Sequence, residues 1–148
     1  MPKLASSLRN KVICAVTSPP YFDVTDFEED QWLRLWFLGG RPYPSRGIIS
    51  RDDRHGFADK YWSFVADLWR TLDVFIVPRG NVVIRVGSKR INTDGLTRGF
   101  LTCSRVLSRS VALVSAAVSE LRKRQTDAFR PGSEGVVREV DLHFVFNA

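Results

Sequence analysis

Apolar positions mark the elements of this chain before any chemistry is considered. Val12-Ile13-Cys14-Ala15-Val16 is a continuous apolar run, the pattern of a strand buried on both faces. Asn81 to Gly87 predicts a second strand of the same kind. Between them Phe57, Tyr61, Phe64, Val65, Leu68, Trp69, Leu72, Phe75 and Ile76 recur at three- and four-residue spacing. Asp59, Lys60, Ser63, Asp67 and Arg70 fill the opposite face. This is the stripe of a long amphipathic helix, with its aromatics in the core and Pro78 and Gly80 ending it. Strand, helix and strand in that order predict a parallel βαβ unit with a right-handed crossover.

Further elements flank this unit. Thr25-Asp26-Phe27-Glu28 fits a capping box, with Glu28, Glu29 and Asp30 at the positive end of a helix. That helix runs through Trp32, Leu33, Leu35, Trp36, Phe37 and Leu38 to Gly39-Gly40, and is apolar over most of its circumference. Such a helix is buried or wants a partner. Thr93 or Asp94 is placed to cap a later helix in which Leu96, Phe100, Cys103 and Leu107 share a face. Val111 to Val118 is apolar and reads as a third strand, although its alanines also suit a helix. Val140, Leu142, Phe144 and Phe146 alternate with Asp141, His143 and Val145, as in a half-buried strand that pairs antiparallel with the third. The expected fold is therefore α/β. It has a mostly parallel sheet with an antiparallel C-terminal hairpin, in a single domain over 11–148 after a loose lead-in at 1–10.

Composition narrows the function classes. The chain has 148 residues, a formal net charge of +6 and a pI near 9.8, which suits a polyanionic partner without requiring one. No apolar run approaches the ~18 residues of a membrane span, so no membrane role is expected. The two cysteines, Cys14 and Cys103, lie in apolar patterns outside any CxxC pair, and are expected as buried hydrophobes in a reducing, cytoplasmic setting. His55 and His143 stand in no metal-ligand spacing, and no metal is expected. Walker A, GxGxxG, HExxH and GxSxG patterns are all missing from the sequence.

Two loops carry candidate chemistry. The first is Thr17-Ser18-Pro19-Pro20-Tyr21, at the end of the first strand. Two prolines forbid continuation of strand or helix and stiffen the chain. The loop offers a hydroxyl, a carbonyl outside any ladder and an aromatic face, at the end of the sheet where α/β proteins bind ligands. That suits a planar nucleobase with an amino group, and also suits a plain proline turn with a half-buried tyrosine. The second loop, residues 40–56, carries Arg41, Tyr43, Arg46, Arg51 and Arg54 with His55. These residues could grip a nucleic-acid backbone, or form a solvated loop in which Asp52 and Asp53 offset part of the charge.

Ser18-Pro19-Pro20-Tyr21 resembles motif IV, (D/N/S)PP(Y/F/W), of the S-adenosylmethionine-dependent DNA amino-methyltransferases, and its form is similar to the cytosine-N4 branch. Asp26-Phe27 with Leu33, Leu35, Trp36, Leu38 and Gly39, the strand Asn81–Gly87, and Arg130-Pro131-Gly132-Ser133-Glu134 are looser likenesses to the same family. The resemblance implies a partial Rossmann-like methyltransferase sheet. It implies that Ser18 and the Pro19 carbonyl accept hydrogen bonds from the target amine, that Pro20 stiffens the loop, and that Tyr21 stacks on a flipped base. It implies S-adenosylmethionine as methyl donor and DNA as partner, RNA being the alternative acceptor. The family's Gly-rich donor motif and following acidic residue have no counterpart here. The donor-binding half is therefore expected on a second chain or a missing segment, and the other reading is an inactive nucleic-acid-binding or assembly module.

Overall fold

The computed structural model describes residues 7–22, 36–40, 58–88, 90–120 and 138–147. The first apolar run forms β1 (Val12–Thr17). The amphipathic stripe forms α1 (Ala58–Phe75), with Tyr61, Val65, Ala66 and Trp69 buried. It is followed by β2 (Ile76–Gly87), α2 (Thr93–Ser104), β3 (Val111–Glu120) and β4 (Arg138–Phe146). The third apolar segment is thus a strand, as its β-branched residues favour. Residues 36 and 37 are helical and the chain turns at Gly39, whose φ of 89° is a left-handed value suited to glycine. The preceding helix, with its capping box at Thr25 and Glu28, lies outside the described residues.

The sheet is mixed and mostly antiparallel, which corrects the mostly parallel expectation. Its order is β1-β2-β4-β3. β1 and β2 are parallel, with Ala15 opposite Val82 and Thr17 opposite Ile84. β4 is antiparallel to β3, the expected hairpin pairing, and also to β2. The crossover from β2 through α2 does return the chain to β3 in the same direction. β4 then inserts between these two strands and converts one parallel pairing into two antiparallel ones.

Both helices pack on one face of this sheet. Val82, Ile84, Val86, Val140, Leu142, Phe144 and Phe146 point into that layer and are fully buried. Each such side chain contributes about 1.5–3 kcal/mol by leaving water. Trp69 lies edge-on to Phe144 at 5.0 Å, and its indole N–H donates to the Phe100 carbonyl at 3.0 Å, so the ring is buried without an orphan donor. Gly99 lets α2 approach α1, because a Cβ there would collide with the Trp62 ring. The other sheet face carries Asn81, Val83, Arg85, Asp141, His143 and Val145, all at least partly exposed.

β1 departs from expectation. It is an edge strand, not a doubly buried one: Ile13 is 72% and Val16 76% exposed, and Cys14 is exposed too. Among the described residues helices cover one face only, and Ile13 and Val16 on the outward half of the apolar run are exposed. Cys103 is half-buried beside α1, and burial pushes its thiol pKa up.

Element ends also differ from the sequence pattern. α1 stops at Phe75, before Pro78, and β2 begins at Ile76. Pro78, Arg79 and Gly80 sit in a bulge, where β2 advances from Ile76 to Asn81 while β1 advances only from Val12 to Cys14. A bulge tolerates proline because its amide has no ladder partner to lose. The C-terminal carbonyls of α1 are satisfied from outside the helix. The amides of Asn10 and Lys11 donate to Val74 and Phe75, and the Arg109 guanidinium donates to Asp73 O and Ile76 O. Arg109 also pairs with the Asp73 carboxylate at 2.7 Å and stacks over Phe146, placing a cation at the negative helix end. α2 is capped by Asn92, not Thr93 or Asp94: the Asn92 side chain accepts from Gly95 N at 2.8 Å. Asn92 is extended while the next two residues are already helical, leaving Asp94 in the first turn where the dipole favours it.

Candidate functional site

Parallel pairing of β1 with β2 puts the carboxyl ends of both strands at the same end of the sheet. The chain leaves β1 at Thr17, crosses that end through Ser18-Pro19-Pro20-Tyr21, and is pinned by a parallel bridge between Phe22 and Ser88. Phe22 is 5% exposed and packs on the Tyr61 ring at 5.3 Å. Pro19 is buried, Tyr21 half-buried, and Ser18 and Pro20 exposed. The loop is thus anchored on both sides, by strand β1 and by Phe22, with its two prolines between. Little ordering remains to be done when something binds.

A hydrogen-bonded chain ties the loop to the sheet. The Tyr21 hydroxyl donates to Glu139 Oε1 at 2.8 Å, and Ser18 Oγ donates to the Tyr21 oxygen across a long 3.5 Å contact. Glu139, the second residue of β4, lies opposite Gly87 at the end of β2, with its side chain 12% exposed. Arg85 Nε faces the other Glu139 oxygen at 3.8 Å, and the same guanidinium grips Asp141 with two bonds of 2.7 and 2.6 Å. Burial raises the Tyr21 hydroxyl above the ordinary phenol range; the Ser18 bond opposes this and Glu139 adds to it. The Arg85 hydrogen bonds hold the Asp141 carboxyl below the ordinary carboxylate range.

The structure therefore brings Ser18, Pro19, Pro20 and Tyr21 together as one anchored loop. Arg41, Tyr43, Arg46, Arg51 and Arg54, with His55, lie outside the described residues. His143 Nε2 pairs with Asn81 Oδ1 at 2.8 Å, and among the described residues no cluster of three metal-ligating side chains occurs. Glu139 is the site residue that sequence reasoning missed. Its one signal was parity, since it shares the polar face of the last strand with Asp141 and His143. Its place opposite Gly87 is a register fact.

The described residues do not fit a methyl donor. β1 runs into prolines instead of a glycine turn. After β2, Ser88 Oγ accepts from the amides of Arg90 and Ile91, which closes that loop on itself. Glu139, the carboxylate that Tyr21 reaches, is already engaged by Tyr21 and Arg85.

No family model and no curated protein matches the chain. Solved structures do. A protein of Thermus thermophilus, assigned as a DNA modification methylase and crystallised with S-adenosyl-L-methionine, aligns at a TM-score of 0.53 and 19% identity. The match covers 99% of this chain and 52% of that one. The selenomethionine form of the same protein gives a TM-score of 0.51 and 16% identity, covering 99% and 50%. At such identities the likeness is one of fold. The chain spans about half the length of the solved chains it matches, and its α/β layers with a four-stranded mixed sheet resemble part of a DNA methylase.

Proposed function

We propose that this chain is the acceptor-holding half of an S-adenosylmethionine-dependent DNA amino-methyltransferase, with cytosine N4 as the methylated atom. The observation that carries the reading is the anchored Ser18–Tyr21 loop at the carboxyl end of the parallel strand pair. In this reading Ser18 Oγ and the Pro19 carbonyl accept hydrogen bonds from the exocyclic amine. That holds the nitrogen lone pair in line for transfer, and positioning supplies most of the rate. Pro20 keeps the loop rigid, and the Tyr21 ring stacks on a base extruded from the duplex. Arg41, Tyr43, Arg46, Arg51 and Arg54 are assigned to the DNA backbone.

The donor site is assigned to a second chain or a further segment. The misfit of the described residues to a donor supports this, and so does the bare edge of β1, whose exposed Ile13 and Val16 suit burial against another layer. The same misfit favours, as a second reading, a nucleic-acid-binding module without activity of its own.

Calorimetric titration of this chain with S-adenosylmethionine is expected to show no binding. Fluorescence anisotropy with a duplex holding one unpaired cytosine is expected to show binding that Tyr21→Ala weakens about tenfold, the worth of one stacked base. Unchanged affinity in that variant sinks the stacking role. Methyl transfer by a reconstituted enzyme to RNA but not DNA moves the substrate to RNA, and failure to restore transfer with any donor-binding half favours the inactive module.

A further inference from the structure

The hydrogen bonds around Tyr21 have a direction. An ionised carboxylate only accepts, so Glu139 obliges the Tyr21 hydroxyl to donate to it at 2.8 Å. The Tyr21 oxygen is then left with acceptor capacity, and the group that faces it is the Ser18 hydroxyl at 3.5 Å. Ser18 has one proton, and while it points toward Tyr21 the outward lone pairs are left to accept. The Ser18–Tyr21 contact is long and biases the hydroxyl rotor instead of locking it.

We infer that Glu139 is a specificity-determining residue that acts through Tyr21 to bias Ser18 toward accepting, favouring an amino-bearing base over a keto-bearing one. An exocyclic amine on a pyrimidine or purine donates to Ser18. A carbonyl at the same place would set lone pairs against lone pairs and leave both without a donor. Glu139 touches no base in this scheme; it positions Tyr21 and polarises the relay. Arg85 and Asp141 fix it from behind, through the 3.8 Å contact and the paired bonds on β2 and β4. The inference rests on the reading of the Ser18–Tyr21 loop as the acceptor-base site.

The test is the ratio of affinities of the full chain for two duplexes that differ only in one unpaired base, cytosine or uracil. The wild type is expected to prefer cytosine about tenfold, in line with the cost of one unsatisfied polar group. Ser18→Ala abolishes that preference. Tyr21→Phe keeps the ring but breaks the relay, and Glu139→Gln replaces an obligate acceptor by a group that can also donate. Both are expected to bring the ratio within about twofold of unity while binding persists. A merely structural role for Glu139 would lower both affinities together and leave the ratio alone. If Ser18→Ala abolishes the preference but Tyr21→Phe and Glu139→Gln retain it, the relay is wrong and the acceptor-loop reading survives. A preference that outlasts Ser18→Ala removes Ser18 from base selection and overturns the relay. A wild type that binds neither duplex, or binds both equally, overturns the relay and the proposed function together.

Discussion

Tyr61 shows how far a single side chain depends on what surrounds it. It is fully buried between Phe22 and Trp62, and among the described residues its hydroxyl has no hydrogen-bond partner. Burial drives its pKa above the ordinary phenol range. An unpartnered buried hydroxyl costs stability. Tyr61→Phe, which keeps the ring, is expected to be neutral or to raise unfolding free energy by about 1 kcal/mol in urea titration. Sequence could show Tyr61 on the apolar stripe, since its spacing to Val65 and Leu68 is plain. It could not show that the phenol hydroxyl ends up buried without a hydrogen-bond partner. Ser18, Pro19, Pro20 and Tyr21 were legible because they are contiguous and their chemistry is local. Glu139 was not, because it stands 118 positions from Tyr21 and is joined to it only by strand register.

Strands and helices behave as their residues dictate where the governing contacts are local. The alternation of Val140 to Phe146 gave β4 its buried face, and the stripe of α1 gave the helix its core side. Asn92 caps α2 ahead of both Thr93 and Asp94, because capping is decided by which residue is extended, and asparagine serves as well as threonine or aspartate. Asn92→Ala is expected to lower unfolding free energy by about 1 kcal/mol, read by thermal or urea denaturation. The β2–β4 pair makes a second prediction. Asp141 has a lowered pKa in the folded protein, so the Arg85 pair stabilises the fold above the ordinary carboxylate pKa of about 4. That contribution is lost as pH falls through the lowered folded value. The stability difference between wild type and Asp141→Asn should therefore be constant near neutrality and shrink with acidification, as urea midpoints at several pH values would show.

Among the described residues, the molecule is a sheet with helices on one face and an edge strand, β1, whose Ile13 and Val16 are exposed. Long, flat, apolar edges invite pairing with other chains. Val16 is 76% exposed on β1, so Val16→Lys is expected to leave the thermal midpoint nearly unchanged while reducing self-association of the chain, measured by light scattering and sedimentation. A large drop in the midpoint would mean that the β1 surface is already packed in solution.

The elements and the proline loop follow from the order of residues alone. Periodicity reports which side of a helix or strand avoids water, and two adjacent prolines after an apolar run stop a strand whatever surrounds them. Three-dimensional packing was needed to put β4 between β2 and β3, to leave β1 at an edge, and to bring Glu139 to Tyr21. Those are pairings between distant segments, and a strand's hydrophobic pattern is the same whether its neighbour runs parallel, antiparallel or is missing. β1 shows the difference most directly. Its composition is that of a strand covered on both faces, and the fold covers one.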